Sequence, residues 1–566
     1  MIHCTSDQIA ISHANPSPDM ILPLSKPDHS PRTSVAEKAG RVGKMSHAQM
    51  YARLLAGDSD YNGRFFTGVL TTGIYCLPSC KARKPKAENV RFFPSCEAAR
   101  EAGLRACKKC HPDDFSRGAD PVLADIEMLV AEIRAEPARF ADVRAIVRRS
   151  GFGATRLFEL FRQHYHTTPA DLLLKARLVA AKHLLLTTRD GLLDISASTG
   201  FESSSVFHQH FREKTGMTPG SYRGLEEAGE SSSFTLELPK DYPLHYLRRA
   251  LSRDSCSVTE KLEGDTYTMA VRLEPSGADS LGNAPIVVLK LELSPIAVHV
   301  SVHPYLPKNR SEADAFLRQV SVRAHALVVG LLGLDQDAAA FARLAEKLGL
   351  SRLTEGRAGL RLAQTPTVFD GILWSIIGQQ INLPFACQLR RRLIQHAGVR
   401  LEHGPGADAQ LYAPPIPAAV AALDPTDLLP LQFSRQKAGY VIDIARLVSE
   451  GSLDLAALRT MSFTRAERTL LAVRGLGPWS VHYIMMRALG FADCVPLGDT
   501  GVTSGLLALL NLEERPDIDA TRRLMAMFSP YRSLATAHLW QFTQPAPVAD
   551  SSVSSLSPQL SGPKQT

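Results

Sequence analysis

Cysteine is scarce in this chain: nine in 566 residues, too few for a disulfide scaffold to hold so long a polypeptide together. No window approaches eighteen consecutive apolar residues, which argues against a membrane-spanning helix, and the first residues lack the charged-then-apolar order of a secretory signal. A cytoplasmic protein with no membrane partner is expected. A large excess of either charge is also missing, with 64 Lys and Arg against 57 Asp and Glu. The formal net charge is +7, and one segment, Arg64 to Cys110 with ten Lys/Arg against three Glu, accounts for all of it. Such a patch can be a solvated face, but beside closely spaced cysteines it points to a polyanion, with nucleic acid ahead of a membrane surface. What is present is ample for several cores. With 45% hydrophobic and 21% charged residues, overall disorder is excluded, and the length suggests roughly three to five domains.

Composition changes divide the chain. Residues 1–46 are rich in Ser, Pro, His and Asp without periodicity and read as a disordered tail. Residues 47–118 are compact, basic and cysteine-bearing, and 119–224 are dense in helical patterning. Residues 225–233 (LEEAGESSS) resemble a linker, 234–308 carry strand-like runs, 309–542 read as helix after helix, and the Ser/Pro-rich 543–566 as a second tail. The strand runs are Phe234–Leu238, Tyr267–Leu273, Ile286–Leu293 and Ala297–Val302. Within the second block Phe161, Arg162, Thr168 and Pro169 recur as Phe211, Arg212, Thr218 and Pro219, and Gly151-Phe152 recurs as Gly200-Phe201. The expected fold is multidomain and mainly α: a small α+β Cys4 zinc domain, an all-α tandem helix-turn-helix domain, an antiparallel-sheet α+β subdomain, and an all-α helix-hairpin-helix domain.

Four cysteines fall in two tight pairs, Cys76-x3-Cys80 and Cys107-x2-Cys110, each able to clip one edge of a tetrahedral Zn²⁺. A purely structural zinc finger uses the same ligands. The context Thr71-Thr72-Gly73-Ile74-Tyr75-Cys76-Leu77-Pro78-Ser79-Cys80, with Cys107-Lys108-Lys109-Cys110, resembles the N-terminal domain of the Ada alkylation-repair proteins. That resemblance implies that Cys76 takes a methyl group irreversibly from a DNA methylphosphotriester, since a metal-held thiolate stays nucleophilic at neutral pH. Methylating one of four thiolates on zinc changes the site from −2 to −1 and weakens repulsion from DNA, a physical basis for the family's switch to tighter promoter binding. Leu77 departs from the family pattern, which has a basic residue there, so the resemblance carries over the metal site but not that residue's phosphate contact. Cys96 reads as a buried thiol rather than a ligand.

Each copy of the repeat fits a short helix, a Gly-Phe turn and a second helix. The pair resembles the AraC-type DNA-binding domain, with Asp171 to Leu186 connecting the two units and Ala154 to Tyr165 and Ser203 to Thr215 as recognition helices. Thr155, Arg156, Gln163, Ser203, Ser204, Ser205 and His208 are the polar side chains placed to reach DNA, although each could equally sit on a solvated helix face. Leu157, Phe161, Phe207 and Phe211 read as core. An activator of this kind implies RNA polymerase as a partner.

Further on, Val473-Arg474-Gly475-Leu476-Gly477-Pro478-Trp479-Ser480 is a Gly-x-Gly hairpin with helical sequence after it, in which Gly475 and Gly477 permit close backbone approach to a DNA phosphate. With Asp499 in Val495-Pro496-Leu497-Gly498-Asp499, it resembles the helix-hairpin-helix base-excision glycosylases. Trp479, Tyr483, His538, Trp540 and the preceding strands bring it closer to the AlkA-type 3-methyladenine glycosylases. The resemblance implies that Asp499 stabilises positive charge developing on the deoxyribose, that Trp479, Tyr483 and Trp540 receive an extruded electron-poor base, and that Gln379 and Gln380 meet DNA. Gln380 stands where the family has a leucine wedge. A helix-capping aspartate and core aromatics are the plain alternatives. No lysine lies between Pro478 and Asp499, no cysteine follows Asp499, and no Pro-Cys-His motif occurs. Base release without strand cleavage, no iron–sulfur cluster and no O6-alkylguanine repair are expected.

The reading is therefore a bacterial, nucleoid-associated fusion that binds Zn²⁺ and double-stranded DNA, senses methylation and excises alkylated bases. The alternatives are a methylation-responsive activator whose glycosylase block only binds DNA, and a general DNA-binding protein with a structural zinc.

Overall fold

The computed structural model describes residues 45–57, 61–80, 82–116, 120–227, 232–273, 285–305 and 313–547. Of the expected tails at 1–46 and 543–566, residues 1–44 and 548–566 lie outside the described residues, as do 228–231 of the expected linker. The chain divides into two compact units, 1–124 and 125–566. The architecture is multidomain and mostly helical with small sheets, as the sequence suggested.

In the first unit four strands form a sheet in the order β3-β1-β2-β4, with β1 Phe66–Val69, β2 Ile74–Cys76, β3 Val90–Phe93 and β4 Arg105–Ala106. A turn with Gly73 at φ 64° reverses the chain between β1 and β2, which run antiparallel with Thr67 opposite Cys76. Phe66, Tyr75, Phe93 and Cys96 fill the core. β4 runs parallel to β2, pairing Tyr75 with Ala106. That register brings the next residues, Cys76 and Cys107, to the same edge of the sheet, so strand pairing assembles the two cysteine turns.

The second unit begins with the two helix-turn-helix copies: Val143–Ser150 with Ala154–Tyr165, and Leu192–Ser198 with Ser204–Thr215. The helix Pro169–Thr187 connects them, started by Pro169 at its first turn and by Thr168, whose hydroxyl accepts the Asp171 amide at 3.1 Å. The second recognition helix starts one residue later than expected. Ser203 is its N-cap, accepting the Val206 amide at 3.3 Å.

Neither copy stands apart. Phe207, Phe211, Met217 and Tyr222 share one buried cluster with Leu236, Val300 and Val328. Leu225, in the expected linker, belongs to it too. The first copy meets the helix Phe463–Leu471: the His164 ring and Thr464 hydroxyl are 2.8 Å apart, and the Ser462 hydroxyl donates to Glu127 at 2.7 Å. His166 accepts the Asp493 amide at 3.2 Å and lies against Phe463. The Asp493 carboxylate is buried and takes both arms of the Arg532 guanidinium, at 2.7 and 2.8 Å.

A five-stranded antiparallel sheet follows in the order β5-β9-β8-β7-β6, formed by β5 Ser232–Glu237, β6 Glu260–Glu263, β7 Thr266–Arg272, β8 Ile286–Leu293 and β9 Ala297–Tyr305. β6 was not anticipated. Its sequence, Glu-Lys-Leu-Glu, carries charge at three of four positions, which suits a sheet edge and hides the strand pattern. Beyond the sheet, one apolar cluster gathers Val368–Ile377, Arg435–Ser449 and Pro478–Arg487, and a second gathers Thr500–Leu510 and Arg532–Phe542. Among the described residues no helix is long and apolar enough to cross a membrane.

Three histidines of this unit, His166, His325 and His538, are buried, and burial holds each pKa down to about 3. Their ordinary value is about 6.5, so above pH 7 they impose no penalty. As pH falls below that value the unfolded chain takes up three protons that the folded unit refuses. Stability then drops by about 4 kcal/mol per pH unit until the pH nears the folded values. Denaturant unfolding at pH 7 and pH 5 should differ by several kcal/mol, roughly 2 for each histidine. An unchanged transition would contradict the burial of neutral imidazoles.

Candidate functional site

The four cysteine ligands proposed from spacing come together. The Sγ atoms of Cys76, Cys80, Cys107 and Cys110 all lie within 4.8 Å of one another, three of the residues being buried. A tetrahedral zinc thiolate site needs sulfurs about 3.8 Å apart, and the all-thiolate donor set suits Zn²⁺. Cys96 is outside the cluster, its thiol donating to the Pro112 carbonyl at 3.3 Å. Leu77 is buried in the sheet's core, and its amide donates to Cys110 Sγ at 3.3 Å.

The second site is a cavity of about 1810 Å³ lined by the helical block and by the helix Leu244–Leu251 that precedes it. Asp499, Trp479, Tyr483, Trp540, Gly475, Gly477, Gln379 and Gln380 all line it. Gly498 at φ 90° turns the chain so that Asp499 opens the helix Thr500–Leu510. The carboxylate caps that helix, Oδ1 accepting the Val502 amide at 3.0 Å, and is also held from the cavity side. The Trp540 indole donates to Oδ1 at 2.9 Å and the Trp479 indole to Oδ2 at 3.3 Å. Capping and a site role are thus compatible, because the cap fixes the carboxylate and leaves it half-buried. Asp499 is the one acidic side chain among the residues lining the cavity, against six arginines.

Trp479 and Tyr483 stand one helical turn apart on Pro478–Arg487 and stack with ring centroids 5.3 Å apart and planes at 19°. Tyr483 is buried. Trp540 both lines the cavity and donates to Asp499, and Gly501 leaves room for it: a Cβ there would stand 2.7 Å from the indole. His538 is fully buried, with Nδ1 3.1 Å from the Leu353 carbonyl, and does not line the cavity.

Of the two hairpin glycines only Gly475 needs positive φ (96°), with the Tyr440 ring 2.6 Å from where a Cβ would be. Gly477 sits at φ −88° in open space as the N-cap of Pro478–Arg487, leaving that helix's first amides without a side-chain cap. Gln379 turns inward. Its amide nitrogen donates to the Gly475 carbonyl and the Ser480 hydroxyl, both at 2.9 Å, so it buttresses the hairpin rather than presenting that group to DNA. Gln380 is exposed at φ 56°.

Trp374 and Arg487 are among the lining residues that escaped the sequence reading. Trp374 lies in a continuous apolar run that reads as core, and nothing in the sequence marks it. Arg487 follows Trp479 and Tyr483 at the same four-residue step, a spacing that could have flagged it. In the tandem repeat, Thr155 and Ser205 are exposed, and Arg156 pairs with Glu159 at 3.1 Å. His208 turns back on its helix, 2.8 Å from the Ser204 carbonyl, and Ser203 is spent on its cap. Leu157, Phe161, Phe207 and Phe211 are fully buried.

A carboxylate fixed between two indoles, beside stacked aromatics and a glycine hairpin, defines a base-excision protein of the helix-hairpin-helix class, here joined to a thiolate metal site and tandem helix-turn-helix units. Family models agree in sequence order: the metal binding domain of Ada over residues 49–113, a helix-turn-helix domain over 146–224, and the HhH-GPD superfamily base excision DNA repair protein over 373–530. The chain belongs to the DNA-3-methyladenine glycosylase family. It is 32% identical over 209 residues to the DNA-3-methyladenine glycosylase of Bacillus subtilis, covering 37% of this chain and 68% of that protein. It is 28% identical over 509 residues to the probable bifunctional transcriptional activator/DNA repair enzyme AlkA of Mycobacterium tuberculosis, covering 87% of this chain and 95% of that one. It is 29% identical over 214 residues to the bifunctional transcriptional activator/DNA repair enzyme AdaA of Bacillus subtilis, covering 38% of this chain and 97% of the relative.

Proposed function

We propose that this chain is a DNA alkylation-repair enzyme and its own regulator: a monofunctional glycosylase that hydrolyses the N-glycosidic bond of alkylated bases such as 3-methyladenine, with a methyl-accepting thiolate at Cys76 and promoter-binding helix-turn-helix units. The observation that carries it is the Asp499 carboxylate held by Trp479 and Trp540 at the wall of the cavity.

Alkylation at a ring nitrogen makes a purine cationic and a good leaving group, so the site need not supply a strong acid. The extruded base stacks on Trp479 and Tyr483. As the C1′–N bond breaks, its electron pair leaves with the base, and Asp499 opposes the positive charge on the sugar. The two indole N–H groups hold both carboxylate oxygens in place, so little reorganisation accompanies the step. A water then adds at C1′ and loses a proton, leaving an abasic site. The uncapped amides at the start of Pro478–Arg487 and exposed Gln380 meet the duplex nearby.

Zinc, bound by Cys76, Cys80, Cys107 and Cys110, would keep the thiolates deprotonated at neutral pH. Cys76 Sγ forms a bond to the methyl carbon of a methylphosphotriester, the O–CH3 bond breaks, and the electron pair stays on oxygen to restore the phosphodiester. Thr155, Arg156, Ser204 and Ser205 are the groups on the recognition helices that meet promoter DNA, and RNA polymerase in the bacterial cytoplasm is the partner of the activated form. We assign the zinc module to residues 47–118 and the tandem units to 119–224.

The purified chain, incubated with methylated duplex DNA, should release free 3-methyladenine and leave strands intact until the abasic sites are broken by alkali. Strand cleavage without alkali would contradict the monofunctional mechanism, and absence of free base would contradict the glycosylase reading.

A further inference from the structure

Nothing in the spacing of the four cysteines says which thiolate should attack, yet their hydrogen bonds are unequal. Cys107 Sγ accepts the amide of Lys109, two residues on, at 3.4 Å. Cys80 receives hydrogen bonding from the amide of Ala82, again two residues on. Cys110 is followed at that position by Pro112, which has no N–H, but it accepts the Leu77 amide at 3.3 Å instead. Cys76 is likewise followed by a proline, Pro78, and among the described residues no amide is bonded to its sulfur. The next amide able to turn toward Cys76 is that of Ser79, and it is held elsewhere: Ser79 N donates to Asn62 Oδ1 at 3.2 Å, while Asn62 Nδ2 donates to Ser79 Oγ at 2.8 Å.

An N–H donated to a thiolate draws charge from sulfur and stabilises the anion before attack, so the thiolate without one is the better nucleophile. Pro78 removes one donor near Cys76 and Asn62 clamps the other.

We infer that Asn62 is a positioning residue for the methyl transfer: its two-bond clamp on Ser79 keeps an amide off Cys76 Sγ and so makes that thiolate the reactive one of the four. The inference rests on the proposed methyl transfer at Cys76. Asn62 touches neither the methyl group nor the sulfur, and acts only through the Ser79 backbone. The clamp also orients the turn, since Cys80 N bonds the Leu77 carbonyl at 3.0 Å across the same four residues.

The test compares the full-length zinc-loaded chain with Asn62→Ala, Asn62→Asp and Pro78→Ala, measuring zinc content, the cysteine modified by methyl iodide as mapped by mass spectrometry, and the rate of methyl uptake from methylphosphotriester DNA. Methyl iodide reads intrinsic nucleophilicity without DNA. In Asn62→Ala, zinc content stays at the wild-type level, Cys76 loses its preference over the other three thiolates, and its alkylation slows about tenfold, the size expected from one charge-assisted hydrogen bond gained by the attacking atom. Asn62→Asp keeps an acceptor for the Ser79 amide and restores the wild-type pattern. Pro78→Ala supplies the missing N–H and lowers Cys76 reactivity in the same direction, an arm that stands even if Asn62→Ala loses zinc. Wild-type rates and site preference in both alanine variants would overturn the clamp. Failure of the wild-type chain to take a methyl from methylphosphotriester DNA at Cys76, with methyl iodide still selecting Cys76, would instead overturn the transfer reading and leave the clamp standing.

Discussion

Replacing Asp499 by Asn lowers single-turnover release of 3-methyladenine by at least about 10²–10³-fold, the size of effect seen when a preorganised group facing developing charge is removed. The substitution is nearly isosteric, and an asparagine carbonyl can still accept the Val502 amide and one indole N–H. The helix Thr500–Leu510 keeps its cap, so folding and binding of undamaged duplex should be unchanged. What disappears is the negative charge opposite C1′. In this cavity no second acid can take over, because the other charged groups lining it are arginines. Quench assays with pre-bound methylated DNA measure the effect, and equal release by the two proteins would remove the catalytic assignment. Methyl uptake at the N-terminal thiolates should be untouched.

Cys76→Ser gives the converse phenotype. A serine hydroxyl at that position stays protonated at neutral pH and is a poor nucleophile, so methyl uptake from methylphosphotriester DNA falls to background while base release continues at the wild-type rate. Intact-mass spectrometry after exposure to methylated DNA reads the first, and free-base assays read the second. A methyl group still gained by the serine variant, on any cysteine of the cluster, would show that the acceptor is not unique and that the hydrogen-bond asymmetry around Cys76 has no chemical consequence.

Both sites were legible in the sequence because their residues lie close together along the chain. Cys76 and Cys80 share one turn, the span from Gly475 to Asp499 holds the hairpin, the stacked aromatics and the carboxylate, and the repeated Phe-Arg and Thr-Pro pairs mark the two helix-turn-helix copies. Local periodicity also located the apolar strands β7 and β8. What could not be read is whatever depends on a partner far away in the chain. Gln379 looks like a surface amide until the Gly475 carbonyl, 96 residues later, is found to accept from it. His164 and His166 look like the solvated end of a recognition helix, yet they meet Thr464 and Asp493, about three hundred residues on. Trp374 is embedded in an apolar helix and faces the cavity only because of how that helix packs. β6 was missed for the opposite reason, since an edge strand needs no apolar alternation. Asp499 shows that two readings of one residue need not compete: it caps a helix, and the cap is part of what aims it.

The electrostatic claim can be measured without turnover. A duplex carrying a pyrrolidine in place of the damaged nucleotide is protonated next to the position of C1′ and mimics the sugar cation, whereas a tetrahydrofuran abasic site of the same shape is neutral. The account predicts that the protein binds the cationic duplex at least about tenfold more tightly than the neutral one, and that Asp499→Asn abolishes the difference while leaving affinity for the neutral duplex unchanged. Equal affinity of the native protein for both duplexes, or a preference that survives in Asp499→Asn, would contradict it.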